Sequence, residues 1–169
     1  MLFKQVQLAL VGVICLSIPS AYAALDLEHW RTAAFEYSFL LGLKSAGSVL
    51  TYKSTNSGSS EVSVKLKDQA IHSITAELNA ALGRLSNPYY KNEINQIIAD
   101  LTAARLPSNT YGIEWPQYLK NQISVSERVA IRLNSLSDLA QSEYEKDAKE
   151  LHKFYESAAQ NPEILTTEL

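Results

Sequence analysis

Cysteine is almost absent from this chain of 169 residues, and the single one, Cys15, lies in an N-terminal segment that has the pattern of an export signal. Removal of that segment would leave a polypeptide without cysteine in a compartment where disulfides form. Such a protein has no disulfide framework and no thiol nucleophile. Its stability must come from the packing of its side chains alone.

Residues 1–23 are predicted to form a cleaved signal peptide. One basic residue, Lys4, precedes an apolar run over residues 6–18, and Pro19 ends that run. Ala21 and Ala23 then place small side chains at positions −3 and −1 of a cut after Ala23, as signal peptidase requires. The mature chain is therefore expected to begin at residue 24.

Two other interpretations of this segment are less favoured. A membrane anchor needs about 20 apolar residues to cross the hydrocarbon core, and the run over residues 6–18 is shorter than that. A lipoprotein would carry its lipid on Cys15, but Ile14 occupies the preceding position, where a lipoprotein signal has a small residue. We therefore expect no stable membrane insertion after cleavage.

Clusters of basic residues are also lacking. The expected mature chain, residues 24–169, has 146 residues, enough for one domain, with 14 basic against 18 acidic residues and a net charge of −4. Nucleic acids and anionic membranes are bound by clustered Lys and Arg, so neither is predicted as the main partner. No Asn-x-Ser/Thr sequence is present. The favoured location is the periplasm or the exterior of a bacterium.

No stretch alternates apolar and polar residues as a strand does, and the apolar spacing instead predicts an all-α fold. Polar loops and prolines divide the chain into four main helices of an up-and-down bundle, and Ser60 is expected to cap the second. The last helix should either run unbroken or restart at Ser124, which would add a short fifth helix over residues 116–123. The predicted helices span about residues 26–53, 60–87, 88–106 and 116–160.

Apolar positions spaced three and four apart predict which side of each helix is buried. The second helix is expected to bury Val62, Leu66, Ala70, Ile74, Leu78, either Ala81 or Leu82, and Leu85. The third is expected to bury Tyr90, Ile94, Ile97, Leu101 and Ala104. The seam of the last is expected to contain Val129, Leu133, Leu136, Ala140, Tyr144, Ala148 and Leu151.

The first helix is expected to have a close helix crossing, and the last helix is expected to be unusually long. Ser38, Gly42 and Ala46 form a ridge of small residues in the first helix, where another helix is expected to cross closely. Even if it restarts at Ser124, the last helix would be more than about 50 Å long at 1.5 Å per residue, enough to project beyond its partners.

The sequence lacks the residue combinations that are typical of catalytic, metal-binding and phosphate-binding sites. There is no Glu-x-x-His sequence for a di-iron site, and His29, His72 and His152 lie on three helices beside polar neighbours. No nucleophile elbow and no glycine-rich phosphate loop is present. The acidic residues from 143 to 150 alternate with lysines, which predicts a solvated face. We therefore predict no catalytic residue, cofactor or metal.

Aromatic residues near two loops are the candidate contact surface. Tyr89 and Tyr90 lie where the second helix meets the third, and Tyr111, Trp115 and Tyr118 lie around the loop before the last helix. Tyr and Trp often anchor protein interfaces. The alternative is that they cap the ends of the bundle. In an up-and-down bundle the two groups lie at opposite ends, so they are not expected to form one site.

Three functions are compatible with this sequence. The first is a non-enzymatic interaction protein of the immunity, inhibitor or secretion-accessory type, whose partner is another protein. The second is a periplasmic carrier of a small apolar ligand, held in a cavity beside the first helix. The least favoured is a cell-wall enzyme with spatially paired carboxylates. The sequence leaves open whether the chain forms a homo-oligomer.

Overall fold

The computed structural model describes residues 22–52 and 59–160, and for residues 22–31 and six positions between 150 and 158 it gives the backbone only. This part of the chain forms four helices and no strand, as the all-α prediction requires. The helices are α1 (Tyr22–Thr51), α2 (Ser60–Leu82), α3 (Pro88–Ala103) and α4 (Trp115–Gln160). The predicted signal peptide, up to and including Ala21, lies outside the described residues.

The helix starts differ from the predictions at two places. Helix α1 begins at Tyr22, four residues before the predicted Asp26, and Ala23 lies in its first turn. Alanine and leucine favour the helix, so residues 23–25 extend it towards the N-terminus. Helix α2 is capped by Ser59 and not by Ser60, because the Ser59 side chain accepts a hydrogen bond from the Val62 amide at 3.3 Å.

The start of α3 is confirmed. The Asn87 side chain accepts a hydrogen bond from the Tyr89 amide at 2.9 Å, and Pro88 occupies the first helical position, where a proline breaks no helical hydrogen bond. Its predicted buried side is confirmed as well. Tyr90, Ile94, Ile97, Leu101 and Ala104 are all buried.

Helix α4 is one continuous helix of 46 residues, roughly 69 Å long at 1.5 Å per residue. Of the two alternatives, the restart at Ser124 is therefore wrong. Ser124 is exposed and the next two residues, Val125 and Ser126, are buried, so the inner face of the helix continues past the expected break. No glycine or proline lies between residues 117 and 160 to interrupt it.

The helices run alternately up and down. Ser137 of α4 donates to the Leu41 carbonyl of α1 at 3.2 Å, and Tyr37 donates to Asp147, so the two helices are antiparallel. Lys67 near the start of α2 bonds to the end of α1, and Asp68 of α2 accepts from the Leu106 amide just after α3. Helix α4 contacts all three other helices, and its interface with α1 is the most extensive in the bundle.

The core fills the space between the four helices. The predicted burial of Ile74, Leu78 and Leu85 is confirmed, but the first turns of α2 present a different side to the core than predicted. Val62 and Leu66 are 50% and 49% exposed, whereas Val64 and Ile71 are fully buried. The predicted stripe moved in steps of four, and each such step turns about 40° around the helix. The buried stripe moves mainly in steps of three and four, which keeps it on one side. It consists of Val64, Ile71, Ile74, Leu78 and Ala81.

Helix α1 approaches α4 closely at Gly47, one residue beyond the predicted ridge of small residues. A methyl group built on Gly47 would lie 3.3 Å from the Ala130 carbonyl oxygen and 3.3 Å from the Asn134 side-chain oxygen. The ridge residues Ser38, Gly42 and Ala46 are half-buried. The missing side chain of Gly47 therefore sets the distance between the two helices.

Candidate binding surface

Of the three predicted aromatic residues before α4, one is exposed and two are half-buried. Tyr111 is 96% exposed at the tip of the loop, held by a turn in which Asn109 accepts from the Tyr111 amide at 3.0 Å and Gly112 takes a φ of +78°. Trp115 is half-buried at the first turn of α4. Tyr118 is half-buried and donates to the Arg105 carbonyl at 2.5 Å, so its hydroxyl ties the loop to α4.

The other predicted pair lies at the opposite end of the bundle, near the turn between α2 and α3. Tyr89 is 53% exposed, and its ring meets that of Tyr90 edge-on at 5.6 Å. Tyr90 is only 1% exposed and donates to Glu143 at 2.5 Å. It is therefore a core residue, and its placement in a contact surface was wrong because the buried stripe of α3 includes it.

Tyr90 belongs to a tyrosine–carboxylate cluster, which we define as Glu36, Tyr37, Tyr90, Glu143 and Asp147. The Tyr37 hydroxyl donates to Asp147 at 2.5 Å, as Tyr90 does to Glu143. Glu143 and Asp147 are half-buried, so the prediction of a wholly solvated face on α4 is wrong at these two positions. A seven-residue repeat continued from Leu136 would have placed them on the inner side.

Glu36 is the buried carboxylate of this cluster. One of its oxygens accepts from the amides of Ser86 and Asn87 at 3.0 and 2.9 Å, and the other accepts from the Ser86 hydroxyl at 2.8 Å. These bonds fix the turn between α2 and α3 against α1. Each carboxylate of the cluster accepts hydrogen bonds from the protein itself. The cluster therefore holds the helices in register and is not the candidate binding surface.

Ionisation of the two tyrosines of this cluster is expected to destabilise the protein at alkaline pH. Burial raises the pKa of Tyr37 and Tyr90 far above the usual value, and their hydrogen bonds to Asp147 and Glu143 add to the shift. Tyrosines of the unfolded chain ionise near pH 10, so the contribution of the two hydroxyls is complete below about pH 10 and is lost as the pH rises above it. We expect the free energy of unfolding to fall by up to about 1.4 kcal/mol per pH unit for each tyrosine.

Urea unfolding at several pH values between 9 and 11.5 measures this slope. The Tyr37→Phe/Tyr90→Phe double variant should show a flatter dependence. Tyr111→Phe is the matched control, since Tyr111 is 96% exposed and should leave the slope unchanged. An equally steep loss in the double variant would show that other groups cause it.

An apolar groove lies at the end of the bundle where α1 stops. Thr51 at the end of α1 and Glu127 of α4 both line it, so α4 continues about two turns further, through Ile123 to Leu119, without α1 beside it. The first turns of α2 form the other wall. The groove encloses about 700 Å³ and is lined by Ser48, Val49, Leu50, Thr51, Tyr52, Ser63, Leu66, Lys67, Ala70, Leu119, Ile123 and Glu127.

Two charged side chains lie on the walls of the groove. The Lys67 ammonium donates to the Leu50 carbonyl at 2.5 Å and to the Tyr52 carbonyl at 3.4 Å, which satisfies carbonyls at the end of α1. Burial lowers the pKa of Lys67, and the charge of Glu127 opposes that shift. Glu127 itself is exposed and also faces a smaller cleft beside Ala130 and Ile131.

Exposed apolar side chains are concentrated at this end. Among the described residues nine large apolar side chains are exposed, and four of them line the groove while a fifth lines the adjoining cleft. They are Val49, Tyr52, Leu66 and Ile123 in the groove and Ile131 in the cleft. Trp115 lies four residues before Leu119, on the same face of α4. Contiguous exposed apolar surface of this kind marks sites where proteins bind something.

Residues 22–52 and 59–160 contain neither a metal-binding group of side chains nor a helix that could span a membrane. No group of three or more His, Cys, Asp and Glu side chains is arranged there to hold a metal ion. None of the four helices contains a stretch long and apolar enough to cross a bilayer. Of the predicted surface histidines, His72 and His152 are exposed, and His29 lies among the residues whose side chains are not described.

Comparison of the chain with protein-family models, with curated proteins and with solved structures finds no match. Function must therefore be inferred from the chemistry of the groove. Sequence reasoning placed Trp115 near this end but missed the groove, because the groove is made by helices that end at different levels.

Proposed function

We propose that this protein is exported and acts without catalysis, by binding a partner protein in the apolar groove at the end of α1. The observation that carries the proposal is the concentration of exposed apolar side chains around one groove. The signal-peptide pattern of residues 1–23 supports export. The absence of a nucleophile, metal or phosphate motif from the sequence makes binding the better explanation than turnover.

A charged side chain in the groove is expected to abolish binding without unfolding the protein. Leu66 and Ile123 are 49% and 37% exposed, so Leu66→Lys/Ile123→Lys removes contact surface while leaving the core intact. Truncation or charge at central interface positions weakens complexes by about 2 kcal/mol or more, roughly 30-fold in affinity. Affinity capture from the exported protein fraction, with quantitative mass spectrometry, measures the loss.

Leu139→Lys is the matched control, because Leu139 is 38% exposed on α4 but does not line the groove. Wild type and control should recover the same proteins in the same amounts, and the groove variant should lose them at an unchanged melting temperature. Equal recovery by all three would refute binding in the groove.

A small apolar ligand is the second candidate, favoured by the volume of the groove. About 700 Å³ lies within the range of pockets that bind small molecules, and such pockets are mostly apolar with a few polar groups. Native mass spectrometry of the purified protein distinguishes the two functions. A co-purified ligand that is lost from Leu66→Lys/Ile123→Lys would favour a carrier, and a ligand-free protein that still captures its partner would favour the interaction protein.

A further inference from the structure

The groove has the position that two further turns of α1 would occupy. Gly47 packs against Ala130, and Thr51 lies level with Glu127, so an extended α1 would next meet Ile123 and then Leu119. On the other side, Lys67 of α2 contacts the end of α1, and the first turns of α2 continue beyond it. The groove therefore continues the line of α1 along α4 and has helices as its walls.

Two segments outside the described residues are poor candidates to cover this groove, one by its composition and one by its length. Residues 53–58, which join α1 to α2, are Lys, Ser, Thr, Asn, Ser and Gly, and none has an apolar side chain to cover Leu66 or Ile123. Residues 161–169 follow the far end of α4. They span at most roughly 32 Å when extended, whereas Gln160 and Ile123 lie about 56 Å apart along the helix.

The walls of the groove favour a helix over an extended segment. They are helices, whose backbone groups are bonded internally, so they offer no strand edge to which an extended peptide could bond. An extended occupant would bury unpaired N–H and C=O groups against Leu66, Leu119 and Ile123. A helix satisfies its own backbone and presents only side chains, as in other complexes where an amphipathic helix lies in an apolar groove.

Charge sets a second requirement for the occupant. The Lys67 ammonium is engaged by the carbonyls of Leu50 and Tyr52 at the end of α1, while the exposed Glu127 carboxylate lines the groove. A basic side chain on the occupant would be attracted by Glu127. An acidic one would meet like charge, and like charges across an interface suppress binding.

We propose that the groove binds an amphipathic helix of a partner protein, at least two turns long, whose apolar face covers Leu66, Leu119 and Ile123 and which carries a Lys or Arg that pairs with Glu127. This inference rests on the proposed function and specifies its partner.

Site-specific cross-linking in the full, exported chain tests the proposal. A photoreactive amino acid at Ile123, with one at Leu139 as control, is activated in living cells, and the cross-linked peptide is identified by mass spectrometry. We expect a cross-link from Ile123 only, to a helical segment with a Lys or Arg within one turn of the cross-linked residue. Glu127→Lys should then weaken the complex about tenfold or more, and reversal of the partner's basic residue to Glu should restore it.

The possible failures are distinguishable. A cross-link to an extended segment, to a second copy of the chain, or to a helix whose charge reversal restores nothing would overturn this inference but not protein binding in the groove. A cross-link to a lipid or other small molecule would overturn both in favour of a carrier. Partner proteins that cross-link from Leu139 and not from Ile123 would overturn the proposed function itself.

Discussion

Leu133→Asp is expected to leave the protein unfolded. Leu133 is fully buried at the centre of the α4 seam, among core residues contributed by all four helices. A carboxylate at this position loses its hydration without a partner, and the penalty is comparable to or larger than the 5–15 kcal/mol by which proteins of this size are typically stable. Circular dichroism should show loss of the helical signal, and gel filtration should show an expanded or aggregated chain.

Leu139→Asp is the matched control for this variant. It introduces the same charge in the same helix at a residue that is 38% exposed, and it should stay folded. Leu133→Ala, which leaves a cavity but no charge, should fold with stability reduced by about 2–5 kcal/mol. A Leu133→Asp protein that keeps the wild-type melting temperature would contradict the position of α4 in the bundle.

Gly47→Leu is expected to have the second largest effect. The first atom of any side chain at Gly47 would already lie 3.3 Å from the Ala130 carbonyl oxygen, which belongs to the backbone and cannot turn away. The rest of a leucine would force α1 from α4 along their shared interface. Overpacking of this kind costs about 1–3 kcal/mol and occasionally more, and we expect at least 3 kcal/mol here because the neighbour is backbone. Urea denaturation measures the difference.

Gly83→Leu separates packing from the general effect of replacing a glycine. Gly83 follows α2 in a right-handed conformation, and a methyl group built there meets no atom within 4 Å. This variant should change stability by less than about 0.5 kcal/mol or increase it slightly. If both variants lose the same stability, the close contact between α1 and α4 is not the cause.

The sequence predicted best where local signals agreed with the packing. Asn87 and Pro88 define the start of α3, and its apolar residues recur in steps of three and four, so both the boundary and the buried side are confirmed. In α2 the sequence contains two apolar stripes, and either of them could have been the buried one. Val62 and Leu66 are as apolar as Val64 and Ile71, and only the position of the neighbouring helices decides which pair is buried.

The tyrosine–carboxylate cluster could not be found from local sequence. Tyr90 and Glu143 are 53 residues apart, and Tyr37 and Asp147 are 110 residues apart. Next to the lysines of α4, Glu143 and Asp147 have the pattern of solvated residues, and their hydrogen bonds become apparent only when three helices are assembled. The groove is missed for a related reason, since it depends on where α1 ends relative to α4.

The extensive interface between α1 and α4 joins the first helix of the chain to the last. During synthesis from the N-terminus, α1 is complete long before α4, the helix with which it forms its largest interface. Contacts between such distant parts of a chain form late, after most of the ordering entropy has been lost. The core of this bundle can therefore be completed only after the last third of the polypeptide has been made.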